Sequence, residues 1–519
     1  MPIITLPEPD ASLESSLRDA AEGRAWLANQ MQVQPLRMLR ALLKEIKAID
    51  HCLSVPATRL ELLDVLRPAV IQAQAGVAIR YAHKPLPLLR DEQEIFEQAR
   101  DLWHAFAIAY LRPIPLLPQQ LVQQALHRSA VALREVLHCH FIAGIEVRPD
   151  FLRLLYDILI TAEAQGLQRN RMADPDYPQL SQSTIAGDVT WSFLLVLSDP
   201  YRFSQAQFNV ANRAFSRWCE LASFQTEPSQ DRHAKTISLA KWLGEDVVAE
   251  GKPQWLDVRP VVRKIRQRVE ALQAGETPES LRLGRELTPA GCIRLMRELD
   301  HILRPRPKSL GDVLDCDTVD LVFGNENLYL LLAGKPLSDH ALSAQSSHIS
   351  HDRLALFGFD NAANRIDHVK DERALAEMWT VEDQWILRAA PDGGQVVAPL
   401  LVGIRPKGEE SPLLAVLVGL RQTNDGWLAA NVRLFPAPPA SALQKVTAAL
   451  PGTQPARQPL FLLPDDEAAG LSASICLPTG SGLRQGSLLA LEESPVEHIR
   501  LGEVIERGSN FVRFAYGRT

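Results

Sequence analysis

Apolar residues in this chain recur at two different periods, and the switch between them lies near Leu310. Ahead of it they return at three- and four-residue steps: Leu36, Leu39, Leu43, Ile46 and Ile49 make one series, and Ile95, Ala99, Leu102, Trp103, Phe106 and Tyr110 make another. That spacing puts one stripe of each helix against a shared core. Beyond Leu310 the apolar runs are short and are separated by turn residues, the texture of an all-β unit. The two textures in series predict an α+β chain: a large helical N-terminal half followed by a compact β-rich C-terminal half.

Punctuation divides the chain further. Pro56 and Pro68, the pair Pro85 and Pro87, and then Pro113, Pro115 and Pro118 are expected to break helices and start connections. A helical array over 1–168 follows, then a polar loop over 167–183 with Pro175 and Pro178. A mainly helical middle domain is expected over 184–309, with helices at 188–197, 205–224, 261–273 and 289–303 and short strands around 235–248. The β domain is expected over 310–450, and 455–519 is an additional β segment. Within the β domain, 318–323 and 328–332 flank Gly324-Asn325-Glu326-Asn327 as a hairpin. Runs 379–387 and 396–404 flank Asp392-Gly393-Gly394, and 413–420 and 427–435 flank Asn424-Asp425-Gly426. Asp-Gly steps supply the positive φ of tight hairpins. A short helix is expected at 441–450, and four more strands at 460–463, 471–477, 499–505 and 511–516. No internal repeat of fixed period is visible.

With 519 residues the chain has the length of about three domains and needs no disulfide or metal staple. A formal net charge of −7 argues against a general affinity for nucleic acid or anionic membrane, both of which demand a basic surface. Cys52, Cys139, Cys219, Cys292, Cys316 and Cys476 form no Cys-x-x-Cys pair and read as buried thiols of a reducing compartment. Residues 1–22 lack an apolar h-region, and no apolar run is long enough to span a bilayer. A cytoplasmic protein without direct membrane insertion is the expectation.

Four clusters invite a chemical reading. His138-Cys139-His140 contains ligand types, but neighbours on a helix diverge, and ordinary helix residues are expected. Asp339, His340, His348, His351 and Asp352 suit a zinc-type ion, and a metal-dependent enzyme built on the three histidines is one alternative; a Ser- and Ala-rich linker is the other. Asp312, Asp315, Asp317 and Asp320 lack the Gly and terminal Glu of a calcium loop. Arg259, Arg263, Lys264, Arg266 and Arg268 load one helix with charge, for solvent or for a phosphate or acidic partner. No Gly-rich phosphate loop, nucleophile elbow or His-Glu-x-x-His pair is present, so no enzyme and no metal are expected.

The stretch Trp379-Thr380-Val381-Glu382-Asp383-Gln384, followed by runs 396–406, 413–420 and 427–434, resembles a PilZ domain. The helical half is similar to the N-terminal region of bacterial PilZ-containing proteins through residues 60–68 and 85–88, Leu102-Trp103, Ala109-Tyr110 and Asp199-Pro200-Tyr201-Arg202. Trp255-Leu256-Asp257, and Leu283-Gly284 with Cys292, carry the same likeness. The resemblance implies cyclic di-GMP signalling, in which an Arg-x-x-x-Arg segment and an Asp/Asn-x-Ser-x-x-Gly strand hold the dinucleotide. Here Asp383 matches the first strand position, but Trp385 stands in place of Ser and Arg388 in place of Gly, and no Arg-x-x-x-Arg precedes them. A degenerate PilZ-like module is therefore implied, with Trp385 expected in the barrel core. The implied function is a non-enzymatic adaptor or effector with a protein partner. The alternative is a genuine cyclic di-GMP receptor through a non-standard site of Arg365, Arg373, Asp383 and Arg388.

Overall fold

The computed structural model describes residues 4–9, 12–30, 34–51, 55–177, 182–229, 236–244, 251–303, 310, 314–334, 376–389, 394–409, 411–435, 439–446, 456–465, 473–491 and 498–518. The chain divides into two compact units, Met1–Lys84 with Leu88–Pro307, and Pro85–Pro87 with Lys308–Thr519. Its fold is α+β, with a helical N-terminal half and a β-rich C-terminal half.

In the first unit α1 (Ala20–Asn29), α2 (Pro35–His51), α3 (Pro56–Ala78), α4 (Arg90–Leu111), α5 (Gln119–Ala143) and α6 (Pro149–Ala164) follow one another through short links. The apolar stripe of α2 buries Leu39, Leu42, Ile46 and Ile49, as its spacing requires. α5 is buried at every residue from Ala125 to Arg134, so it is the central helix of the array. Trp103, Phe106 and Tyr110 of α4 stack edge-to-face beside it, and Gly144, with φ of 70°, closes α5. Pro68 does not break a helix as expected. It lies inside α3 with its ring on the exposed side of the helix, away from the buried stripe of Leu62, Leu63, Leu66 and Val70.

α7 (Ile185–Leu197) and α8 (Gln205–Trp218) continue the unit, capped by Thr184 and Ser204. Where short strands were expected over 235–248, the described residues form β2 (Thr236–Ser238) and the one-turn α9 (Ala240–Leu243). A small sheet in the order β1-β3-β2 joins β2 to β1 (Ser223–Gln225) and β3 (Trp255–Asp257). α10 (Arg259–Gln273) packs on α11 (Pro289–Ile302), close to their expected bounds. Among the described residues no helix is long and apolar enough to cross a membrane.

The second unit holds β4 (Thr318–Val322), α12 (Asn325–Ala333), β5 (Ala376–Glu382), β6 (Trp385–Ala389), β7 (Leu400–Pro406), β8 (Leu413–Gln422) and β9 (Trp427–Leu434). Its strands close an antiparallel barrel in the order β4-β5-β6-β9-β8-β7. Next come β10 (Ala440–Val446), β11 (Ala456–Leu463), β12 (Ser474–Pro478), β13 (Leu488–Ala490), β14 (His498–Arg507) and β15 (Phe511–Arg518), ordered β10-β11-β12-β15-β14-β13. Numbered from its own first strand, each six-stranded set reads 1-2-3-6-5-4. In the second set a bridge from Gln444 to Leu491 brings the outer strands together. Two copies of one topology thus stand in tandem where no sequence repeat was visible.

Three sequence expectations are corrected here. Residues 328–332 form α12 and not a hairpin arm: Gly324, at φ of 86°, turns the chain out of β4 directly into a helix. Residues 379–387 are not one strand, because Asp383 takes φ of 50° and folds β5 onto β6 with Glu382 opposite Trp385. β6 then pairs with β9, so it makes no hairpin with β7 across Asp392-Gly393-Gly394. The helix expected at 441–450 is strand β10 over its described part; pairing with β11 along its whole length overrides the helical preference of its alanines. The hairpin of β8 and β9 across Asn424-Asp425-Gly426 stands as expected, with Gly426 at φ of 80°.

Candidate functional site

Within the helical unit, side chains from four separate segments enclose a cavity of about 430 Å³. Arg171 and residues 182–184 come from the connection ahead of α7, and Gly187, Asp188 and Trp191 from its first turns. Arg217 and Trp218 close α8, with Cys219 and Glu220 in the turn that follows. Arg268 projects from α10, and Arg282 belongs to the loop before α11.

Local chemistry explains the shape. Thr184 starts α7 by accepting from the Gly187 amide at 2.9 Å. A Cβ on Gly187 would lie 3.0 Å from the Thr184 hydroxyl and 3.5 Å from the Cys219 sulfur, so a side chain there would crowd the floor. Arg213 donates to the Leu283 carbonyl at 2.7 Å and pairs with Glu286, which fixes the loop carrying Arg282. Arg282 itself takes φ of 60°, in the left-handed region. Trp191 and Trp218 are nearly buried and supply apolar wall; the Trp191 indole donates to Asn212 at 2.8 Å.

The charges are unbalanced. Asp188 is consumed by Arg134, and Glu220 lies 3.6 Å from Arg171 in an exposed pair. Among the described residues, Arg217, Arg268 and Arg282 have no carboxylate within ion-pair distance, and the buried Nε of Arg268 has no hydrogen-bond partner. Burial, and then the positive charges of Arg282 and Arg213, lower the Arg217 pKa. Cys219 is no nucleophile, because burial first and then Asp188 and Glu220 push its thiol up to about 12. A cavity with unpaired guanidiniums and apolar walls is equipped to hold an anion with a flat, aromatic body.

The residues singled out in the β half are arranged differently. Asp383 forms the β5–β6 turn, and its carbonyl accepts from Leu310 at 2.8 Å. Arg388 points inward beside Ile386 and is 5% exposed. It donates to the Gly394 carbonyl at 2.5 Å, approaches Glu377 at 3.5 Å and lies 5.2 Å from the Trp379 ring centre. The wholly buried indole of the barrel is Trp379; Trp385 is half-buried beneath the Arg421 guanidinium, 4.1 Å from its ring centre. Arg365 and Arg373 lie outside the described residues, as do Asp339, His340, His348, His351 and Asp352.

The other clusters disperse. His138 stacks near Phe208, Cys139 bonds Gln74, and His140 sits edge-on to Phe96, so three neighbours on α5 face three surroundings. No group of three His, Cys, Asp or Glu side chains that would hold a metal occurs among the described residues. On α10, Arg259 pairs with Asp257 and Arg266 with Asp300, while Arg268 lines the cavity. Arg171, Arg217 and Arg282 carried no signal in the sequence, since no spacing relates positions brought together from different segments.

Comparison with known proteins bears on the same unit. Residues 20–230 match a family model described as the N-terminal domain of the cyclic-di-GMP receptor FimW. No curated protein matches the chain. No solved structure matches it either. The helical region is thus similar to a domain of a cyclic di-GMP receptor, which supports the cyclic di-GMP connection implied by residues 60–68 and Asp199-Pro200-Tyr201-Arg202.

Proposed function

We propose that this chain is a non-enzymatic effector of cyclic di-GMP signalling, which reads the dinucleotide and passes the signal on through a protein partner. The observation that carries the reading is the similarity of residues 20–230 to a receptor's N-terminal domain. The unpaired arginines of the cavity, Arg217 within the matched stretch and Arg268 and Arg282 beyond it in the same unit, support a receptor over a nucleotide-blind adaptor. In the β half, the inward course of Arg388, with Gly394 and Glu377 already beside it, speaks against a site built on that arginine. The PilZ-like character of that half remains part of the proposal and rests on the run from Trp379 to Gln384.

Calorimetric titration of the full chain with cyclic di-GMP, at moderate salt so that diffuse charge attraction is screened, tests the reading. Saturable binding at micromolar concentration or tighter is expected. No heat and no saturation at high protein concentration would leave a nucleotide-blind adaptor in its place.

A further inference from the structure

We propose that the arginine-lined cavity of the helical unit seats a guanine nucleotide, with Arg217, Arg268 and Arg282 on its phosphates and Glu220 on the guanine edge. The identity of that nucleotide as cyclic di-GMP rests on the function proposed above; the place and the chemistry rest on the cavity.

Three cations converge on one space without carboxylate partners, an arrangement that repels itself until an anion enters. Burial first, and then the charges of Arg282 and Arg213, lower the Arg217 pKa, so repulsion between Arg217 and Arg282 is the lesser part of that shift. Phosphate oxygens accept two parallel bonds from a guanidinium, and a guanidinium plane also stacks on a purine. Glu220 has a role that a site for bare phosphate would not give it. Guanine presents two adjacent donors, N1–H and the exocyclic amine, and a carboxylate accepts both; adenine offers no such pair. Glu220 Oε2 holds only a long, exposed contact to Arg171 that is easily exchanged for a base, and Oε1 keeps accepting capacity beside its 3.3 Å bond from the Thr184 hydroxyl. A volume of about 430 Å³ suits a ligand of nucleotide size, with the open side leaving room for part of a larger one.

The experiment titrates the intact chain with cyclic di-GMP, cyclic di-AMP and GTP, and repeats it with R217A/R282A, R217K/R282K and E220Q. Arg217 and Arg282 are exposed, so both double variants are expected to keep the parent's circular dichroism and melting temperature. The parent should prefer cyclic di-GMP to cyclic di-AMP. R217A/R282A should weaken it by roughly 30-fold or more, the loss of two charge-assisted contacts. R217K/R282K should recover part of that loss, and E220Q should bring the two dinucleotides to similar affinity. Binding of cyclic di-GMP that R217A/R282A leaves unchanged overturns the cavity assignment and spares the signalling role. Binding of GTP through these arginines, without cyclic di-GMP, overturns the signalling role and upholds the cavity. A parent that binds none of the three overturns both.

Discussion

Arg67 and Asp174 meet in a two-pronged pair inside the helical unit, Nη1 to Oδ1 at 2.7 Å and Nη2 to Oδ2 at 2.6 Å. Both side chains are almost wholly buried, and Asp174 also takes Arg128 at 2.7 Å while Arg67 reaches Asp176 at 2.8 Å. The pair pins the connection ahead of α7 to α3 and α5, the connection that supplies Arg171 to the cavity. Replacing Arg67 by Met strips Asp174 of its closest partner inside the protein. A loss of about 3–5 kcal/mol is expected, read as a lower urea midpoint for the helical far-UV signal. Burial alone would raise the Asp174 pKa, but the hydrogen bonds and charge of Arg67, and then Arg128, hold it down to about 2. The folded carboxyl therefore binds its proton later than the unfolded one. Its stabilisation is complete above the unfolded value near 3.8 and is lost as pH falls through about 2. R67M should remove most of that acid dependence.

One buried and one half-buried histidine act in a higher pH window. Burial, then the nearby positive charge of Arg100, depresses His140 to about 3; burial depresses His104 to about 4. Between these values and the ordinary 6.5 the unfolded chain binds protons that the folded one refuses, so stability rises with pH across that range. The helical unit should melt at progressively lower temperature as pH is taken from 6.5 toward 4. His140→Gln should flatten that slope, at some loss of packing against Phe96 and Phe151. An unchanged slope in the variant would assign the effect to other groups.

Periodicity in the sequence carried the helical half because each stripe is a local pattern: Leu39, Ile46 and Ile49 need only α2 to be recognised, although the structure buries Leu42 where the series had Leu43. The Asp-Gly step at Asn424-Asp425-Gly426 was legible in the same way, whereas the one at Asp392-Gly393-Gly394 suggested a hairpin that the strand pairing does not contain. The β5–β6 turn was not, because Asp383 reaches positive φ without a glycine to announce it. Missing that turn fused two strands, misassigned the partner of β6 and hid the order shared by the two strand sets. Leu328 and Leu331 read as strand or helix equally well in isolation. Burial against β7 from one side of a helix, together with the turn at Gly324, decides between them. The cavity was the least legible feature, because Arg171, Arg217, Arg268 and Arg282 are neighbours only after the helices pack.

Asn510 lies between β14 and β15 and behaves toward β7 as a strand would. Its Oδ1 accepts from the Leu401 amide at 2.8 Å, and its Nδ2 donates to the Leu401 carbonyl at 2.9 Å. Ser509 adds a backbone bond to the Pro399 carbonyl at 2.8 Å, so the tip of the second strand set is stitched to the first. Asn510→Ala leaves both Leu401 groups without these partners and should destabilise the second unit by about 2 kcal/mol. Amide exchange at Leu401 is the direct readout. It should accelerate in the variant, while amides in α4 and α5 exchange as before. Equal protection of Leu401 in parent and variant would mean that the stitch contributes nothing.

Gly403 on β7 is where α12 comes closest to the barrel. A Cβ at this position would stand 2.4 Å from Cδ2 of Leu331 and 2.9 Å from Cδ2 of Leu328, both on α12. Leu328 is fully buried in a cluster with Leu401, Val416, Phe461, Cys476 and Phe511, drawn from both strand sets, so it has little room to yield. Leu331, 9% exposed and not a member of that cluster, has more. Gly403→Ala should therefore overpack the contact and destabilise the unit by about 1–3 kcal/mol. Leu331→Ala alone should also destabilise, by loss of buried methyl groups. Combined, the two changes relieve each other, because the new methyl occupies space that the truncated leucine vacates. The double variant should be at least as stable as Gly403→Ala alone, with a coupling energy of about 1 kcal/mol or more from thermal melts of all four proteins. Strict additivity would show that α12 rests on β7 without the close contact that glycine permits there.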